Sequence, residues 1–390
     1  MAQDNQKRGK HARLPEQPDS NRQTPPTGAS RPEFNRQPGI RPVVMPQQRG
    51  GRASSAQSYD RSLYGSGQGA ARPKKKKGSR ARKVLLGILA AFLVLVIGAA
   101  AAVALYLNSL NSTISIKDSD EAMEIKEALQ APVASSNPNE ADAYYTLLIG
   151  SDARSGDTAS RSDVLILARV VPSEGKVTMV SIPRDTKVEI PGYGTQKINA
   201  AYAYGGVAGA VKAVSEFAGV PITHYAEVHF QELEDLVDIL GGVYVDVPVS
   251  NDQTGASNTG VQLSAGYQLL NGEQALALAR ERYGYARGDF QRADNQRLVA
   301  TAIMKQVLQT PALEMPSTIQ RLAACVTTDM SVTDIIGLAQ AYRSAGDLTV
   351  YSALAPSSTA TIDGVSYVIT DEAAWKTMMQ KVDAGEDPGK

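Results

Sequence analysis

The chain has 390 residues, with 40 Lys+Arg against 40 Asp+Glu, one cysteine and three histidines. The lone Cys325 excludes an intrachain disulfide framework and a Cys-rich metal site, and His11, His224 and His229 leave little room for a His-based catalytic centre. The neutral total hides an asymmetry: residues 1–83 hold 19 basic and 5 acidic side chains, a net of +14, so residues 84–390 carry −14.

Residues 1–83 contain nine prolines, nine glycines and only eight residues from Val, Ile, Leu, Met and Phe. So little apolar surface cannot offset the entropy of ordering a backbone, and a disordered basic tail is expected. Its charge suits enforcement of topology, attraction to anionic inner-leaflet lipid, or an acidic partner. Next comes Val84 to Leu107, 24 residues without a charged side chain. As a helix this run is about 36 Å long, enough to cross a bilayer core of about 30 Å with some tilt. Lys74 to Lys77, Arg80, Arg82 and Lys83 precede it. The positive-inside bias then places the N-terminus in the cytoplasm and the larger C-terminal part outside, a single-pass type II arrangement in the cell membrane. A cleaved signal peptide, the rival reading, has a short basic start and an apolar run of about 7–15 residues.

Asn108 to Ala143 reads as a stalk, with a helical stretch near Asp118 to Leu129 and a loop through Ser135 to Asn139. Residues 144–390 read as one compact extracytoplasmic domain. Tyr144 to Gly150, Asp163 to Val171 and Lys176 to Ile182 are β-rich runs between turn residues. Gly206 to Ala218 and Gln231 to Leu240 then read as helices, alternating with strand-like Tyr225 to Phe230 and Val243 to Val247. That mixture predicts an α/β fold, a central sheet covered by helices. Asn271 suits the N-cap of a helix through Ala279, Arg280 to Tyr283 look extended, and Asp289 to Leu308 form the longest amphipathic helix, ended by Pro311. Leu348 to Leu354 and Ser366 to Ile369 are strand candidates, and Asp371 to Val382 is a last helix.

No Walker A loop, His-Glu-x-x-His, Gly-x-Ser-x-Gly or strand-borne dinucleotide fingerprint is present, so the chemistry falls to carboxylates and arginines. If the first two strands pair, Asp152 and Asp163 share one sheet end. A magnesium ion is typically held there by one or two carboxylates plus phosphate oxygens. The bland alternative is two polar residues flanking a turn. Arg184 follows a strand and Pro183, while Arg280 and Arg282, two apart in an extended segment, face the same side. A planar guanidinium matches phosphate oxygens bidentately and stays charged, although a solvated edge also carries such charges. Spacings of three and four put Asp289, Arg292, Gln296, Val299 and Ile303 on one stripe of the long helix. Apolar at its far end and polar in its first turns, the stripe either runs from core into a charged cavity or protrudes into solvent. His224 and His229 read as structural histidines, Cys325 and Trp375 as core residues.

In order along the chain, these residues resemble the LytR-CpsA-Psr family of bacterial envelope proteins. The resemblance is carried by Gly150-Ser151-Asp152, Arg161-Ser162-Asp163, Ser181-Ile182-Pro183-Arg184-Asp185 and Lys197-Ile198-Asn199-Ala200-Ala201-Tyr202. It continues through Gly241-Gly242-Val243, Leu270-Asn271-Gly272-Glu273, Ala279-Arg280-Glu281-Arg282 and the Asp289, Arg292, Gln296 stripe. It implies an α/β domain enclosing a long apolar pocket for a polyprenyl chain. The implied activity is magnesium-dependent transfer of a glycopolymer from a polyprenyl-pyrophosphate carrier to a peptidoglycan hydroxyl. By the same resemblance Asp152 and Asp163 hold magnesium, and Arg184, Arg280 and Arg282, with Arg161, clamp the pyrophosphate. Asp289, Arg292 and Gln296 form the polar mouth, and Asp163, Asp185 and Asp289 are candidate bases. Where many members carry a further arginine this chain has Tyr283, Tyr285 and then Arg287. No nucleic-acid partner is expected. The rivals are a pyrophosphatase using water, an envelope-related transcriptional regulator acting through the tail, and a passive lipid-carrier binding protein.

Overall fold

The computed structural model describes residues 92–98, 101, 104–105, 108–109, 119–135, 137–152, 161–311 and 313–390. The expected tail and much of the expected span lie outside them. Residues 92–98 are helical and exposed, and no helix among the described residues is long and apolar enough to cross a membrane.

Helix α1 (Ser119–Ala128) comes first, followed by strands β1 (Tyr144–Ser151), β2 (Ser162–Val171) and β3 (Lys176–Ser181). A hairpin of β4 (Lys187–Ile190) and β5 (Gly194–Lys197) leads to α2 (Ala200–Ala218), β6 (Ile222–His229) and α3 (Phe230–Ile239). A second hairpin, β7 (Val243–Val247) with β8 (Gly266–Leu270), precedes α4 (Gly272–Arg280) and the long α5 (Asp289–Gln309). The chain continues through α6 (Met315–Leu322), β9 (Thr327–Thr328) and α7 (Val332–Ala345). It closes with β10 (Thr349–Leu354), β11 (Ser357–Ile362), β12 (Val365–Thr370) and α8 (Glu372–Asp383).

The expected α/β fold is present as a mixed six-stranded sheet in the order β10-β3-β2-β1-β6-β9. β1 runs antiparallel to β2 and parallel to β6. Alternation along β1 and β2 sends Leu147, Ile149, Leu165 and Leu167 into a core built with α1, α2 and α8. Ile166, Ala168 and Val170 face the other side, against Met304 of α5 and Tyr342 of α7. Burial on both faces requires such near-continuous apolar strands. Ile125 and Ala128 of α1 sit in the first core, so the packing reaches upstream of Tyr144 into the segment read as a stalk.

Several boundaries differ from expectation. α2 starts at Ala200 rather than Gly206, because Gly205 (φ −145°, ψ 27°) and Gly206 (φ 54°, ψ −145°) break the helix and leave residues 200–204 as a separate first turn. α4 continues to Arg280, one residue past the expected end, after an Asn271–Gln274 capping box. α5 stops at Thr310, which takes the extended conformation (φ −59°, ψ 127°) that a following proline favours.

Glu140, 1% exposed, is ion-paired to both Arg169 and Lys176 beneath the start of the sheet. Burial alone would raise this carboxyl; the hydrogen bonds from Lys176 and Arg169 outweigh it and hold the group below its ordinary value. A depressed carboxyl contributes stability above the ordinary carboxylate range and loses it as pH falls through the lowered folded value. Replacing Glu140 by Ala leaves two basic groups without their shared carboxylate, at an expected cost of about 3–5 kcal/mol. Denaturant unfolding at neutral pH checks this, and the gap between variant and parent should narrow in acid.

Candidate active site

β1 and β2 place the two aspartates as their pairing predicts. Gly150 opposes Val164 and Ser151 opposes Ser162, which leaves Asp163 as the extra residue of a β-bulge. Bulges of this kind re-aim a side chain at a strand end. A Cβ at Gly150 would come within 2.8 Å of Val164 Cβ, so the close approach beside the bulge needs glycine. Asp152 follows directly on β1 at the same sheet end.

Arg184 leaves β3 through Ile182 and Pro183 and ion-pairs with Asp163. Its turn is tied by Asn199 N–H donating to the Arg184 carbonyl and Val368 N–H donating to that of Asp185. Asp185 pairs with Lys197 at 3.0 Å. Burial alone would lower the Arg184 pKa, yet Asp163, then Asp185 and Asp289, raise it overall. Its Nε is buried without a hydrogen-bond partner.

Arg280 ends α4 and rests on the Phe230 ring, guanidinium carbon to centroid 4.9 Å. Arg282 lies over the Tyr283 ring at 4.5 Å. Between them Glu281 is fully buried and accepts hydrogen bonds from Ser257, Thr259 and the N–H groups of Asn258, Arg282 and Gly284. Burial works against that charge, but these donors hold its carboxyl below the ordinary value. Asn258 also accepts from Arg282 N–H and donates to the Arg280 carbonyl. The buried acid therefore turns its two arginine neighbours outward to one side. The expected extended geometry begins only at Glu281 (φ −65°, ψ 133°).

The α5 stripe runs from core to cleft. Val299 is buried and Ile303 packs against the same cluster, Gln296 donates to the Ala279 carbonyl, and Arg292 is only 12% exposed. Asp289, 45% exposed, stands at the rim, 3.2 Å from Arg292 and 3.8 Å from Arg282. Burial pushes the Arg292 pKa down, opposed by Asp289 and Asp163 and reinforced by Arg184 and Arg282. An arginine keeps its proton, so the physical content is a buried charge short of anionic partners.

Asp163, Arg184, Asp185, Arg280, Arg282, Asp289, Arg292 and Gln296 line a cleft of two adjoining lobes that share Asp163, Arg184, Arg292 and Gln296. One, of about 180 Å³, is polar and bounded by Arg280, Arg282, Asn258 and Tyr283. The other, of about 280 Å³, has a floor of Leu165, Ile182, Phe290, Leu354 and Val368. Arg287 lines this second lobe, held by Asp294 at 2.7 Å. Five arginines thus face three aspartates across the two lobes. Asp152 and Arg161 are both exposed and line neither lobe.

The chain matches the LytR_cpsA_psr family model over residues 105–384. It belongs to the LytR_cpsA_psr family. It is 33% identical over 315 residues to an Enterococcus faecalis protein named polyisoprenyl-teichoic acid–peptidoglycan teichoic acid transferase TagU, covering 78% of this chain and 97% of that one. The like-named protein of Halalkalibacterium halodurans is 39% identical over 207 residues, 52% of this chain and 66% of that one. Among solved structures, Bacillus subtilis TagV superposes with TM-score 0.54 at 28% identity, covering 63% of this chain and 98% of that chain. A structure of TagT bound to LI-WTA gives 0.53 at 30% identity, with 62% and 91% covered. An Enterococcus faecalis protein described as a transcriptional regulator gives 0.54 at 29% identity, with 65% and 92% covered. The family match spans the whole cleft, from Asp163 to Val368.

Four contributors to this cleft are not singled out as functional by sequence reasoning. Phe230 looks like an ordinary strand or helix residue, Asn258 lies in a polar loop, Glu281 reads as a solvated charge, and Lys197 contributes only by pairing with Asp185.

Proposed function

We propose that this protein is a membrane-anchored, magnesium-dependent phosphotransferase of type II topology. It moves a glycopolymer from a polyprenyl-pyrophosphate carrier to a hydroxyl of peptidoglycan. The observation that carries this reading is the two-lobed cleft, an arginine-lined polar lobe adjoining an apolar-floored one. A polyprenyl-pyrophosphate glycan has that order of chemistry: sugar, two phosphates, hydrocarbon. The apolar floor of the second lobe, beneath its charged walls, takes the first isoprene units, the lobe being too small for a whole carrier lipid. The names of the curated relatives, which state transfer of teichoic acid to peptidoglycan, support the same reaction class.

Asp152 and Asp163 offer hard oxygen donors only, few enough to leave coordination positions for water and phosphate oxygen, a donor set that fits magnesium. When bound there, the ion would supply Lewis-acid neutralisation of charge on the phosphate oxygens. Arg184, Arg280, Arg282 and Arg292 hold the pyrophosphate and stabilise charge developing on its equatorial and bridging oxygens. The acceptor oxygen forms a bond to the glycan-side phosphorus. The bond from that phosphorus to the bridging oxygen breaks, and its electron pair leaves with polyprenyl phosphate. The acceptor proton passes to Asp289, the carboxylate at the rim. A carboxylate within reach of the acceptor hydroxyl can take that proton as general base.

The test uses the full chain in lipid nanodiscs with magnesium and a polyprenyl-pyrophosphate glycan. Release of polyprenyl phosphate should depend on added peptidoglycan acceptor. An equal rate without acceptor would replace the reading with hydrolysis, and no release under either condition would leave only carrier binding.

A further inference from the structure

Two parts of the proposed site are attached to strand ends that meet behind it. Asp152 follows Ser151, the last residue of β1, and Phe230, the ring beneath Arg280, follows His229, the last residue of β6. Ser151 and His229 are register partners in the parallel β1–β6 pair. Their side chains are joined, Ser151 Oγ to His229 Nδ1, at 2.7 Å. His229 is also the N-cap residue of α3, yet its side chain makes no capping hydrogen bond to that helix. Its Nδ1 therefore serves the neighbouring strand instead of the orphan amides that an N-cap side chain ordinarily satisfies. Ser151 is 0% exposed.

A second link lies two residues back on the same face of β6. Glu227 is 6% exposed and accepts a hydrogen bond from Tyr202, in the first turn of α2. Burial, only partly offset by Tyr202 and His229 and reinforced by Glu121 and Glu232, raises its carboxyl above the ordinary value. A buried acid is costly to keep inside a core, and the chemistry proposed above does not use it. Its hydrogen bond fixes β6 against α2 next to the Ser151–His229 bridge.

We infer that the Ser151–His229 hydrogen bond, backed by Tyr202–Glu227, is a positioning device that sets the separation between Asp152 and Arg280. Asp152 and Arg280 lie on different strand–helix units, and the described bridge is a side-chain bond between the residues immediately preceding Asp152 and Phe230. Both residues act through others: neither lines the cleft lobes. This rests on the magnesium and pyrophosphate roles proposed for Asp152 and Arg280. Outer partners that orient metal ligands typically change metal affinity about tenfold or more when removed.

The experiment compares full-length Ser151→Ala, His229→Leu and His229→Asn with the parent protein. It measures the magnesium concentration for half-maximal polyprenyl phosphate release, calorimetric affinity for farnesyl pyrophosphate with and without magnesium, and the thermal midpoint. Ser151→Ala and His229→Leu should raise the half-saturating magnesium about tenfold and weaken magnesium-dependent farnesyl pyrophosphate binding by a similar factor. His229→Asn, whose side-chain amide occupies the place of Nδ1, should recover most of both. Magnesium dependence and ligand affinity within twofold of the parent in both Ser151→Ala and His229→Leu would overturn the inference, as would a lowered midpoint with unchanged magnesium response. A parent protein that needs no magnesium and does not bind farnesyl pyrophosphate would instead overturn the functional reading beneath it.

Discussion

Replacing Arg280 by Ala should reduce polyprenyl phosphate release by about 10²–10³-fold, the usual cost of removing one preorganised donor from a developing oxyanion. Among the described residues Arg280 makes no salt bridge; its guanidinium rests on the Phe230 ring at the edge of the polar lobe. Its charge is therefore available to an anion rather than committed to a neighbouring carboxylate. Because the side chain is exposed at the end of α4, the fold should tolerate the change, with stability altered by no more than about 0.5 kcal/mol. Arg280→Lys keeps the charge and loses the bidentate fork, so intermediate activity is expected. Quantifying released polyprenyl phosphate alongside a thermal melt checks both statements. Activity of Arg280→Ala within tenfold of the parent would remove this arginine from the clamp.

Asp163→Asn should also lower release by more than about 100-fold, and raising magnesium should not restore it. The substitution acts on two groups at once. It neutralises a proposed magnesium ligand and strips Arg184 of its closest ion-pair partner, leaving Asp185 at 4.0 Å from an Nε that is buried without a hydrogen bond. Asp152→Asn separates the contributions, because it changes the other proposed magnesium ligand and leaves the Arg184–Asp163 ion pair in place. A loss shared by both variants, together with a raised magnesium requirement in Asp152→Asn, identifies the metal role. Full activity in Asp152→Asn with loss confined to Asp163→Asn would assign the effect to Arg184 alone.

The parts of this architecture legible in the sequence are those where one physical pattern dominates. The β1, β2 and β3 runs are apolar enough to announce buried strands, and their pairing puts Asp152 and Asp163 at one end. Asn271 caps α4 and Pro311 stops α5 by local stereochemistry alone. On α5 the change from Val299 and Ile303 to Arg292 along one stripe marks the end of the core, and the structure resolves the two open readings of its polar turns in favour of a cleft. Short polar elements escape such reasoning. β5 (Gly194–Lys197) and β11 (Ser357–Ile362) have little apolar alternation and are strands because a partner hairpin pairs with them. The first turn of α2 is hidden by the glycines that break it. Glu281 illustrates the deeper limit: two of its donors are the local N–H groups of Arg282 and Gly284, but the other three come from the 257–259 loop, more than twenty residues away in sequence. Arg161 shows the reverse, since its place in a motif suggests a clamp residue and the fold leaves it outside both lobes.

The chain's overall charge neutrality also takes on a spatial meaning. A basic tail and an acidic remainder cancel in the sum, while within that acidic remainder five arginines converge on one cleft. Opposed charge of this kind concentrates positive potential where an anionic substrate would sit.

The most direct measurement of the proposed chemistry is the fate of water oxygen. The full chain, in nanodiscs with magnesium, a polyprenyl-pyrophosphate glycan and peptidoglycan, is allowed to react in ¹⁸O-enriched water, and the phosphorus-containing products are analysed by mass. Transfer predicts a glycan joined to peptidoglycan through a phosphodiester and an equal amount of polyprenyl phosphate, neither carrying ¹⁸O. Label in the glycan phosphate or in polyprenyl phosphate, with no diester formed, would contradict the account.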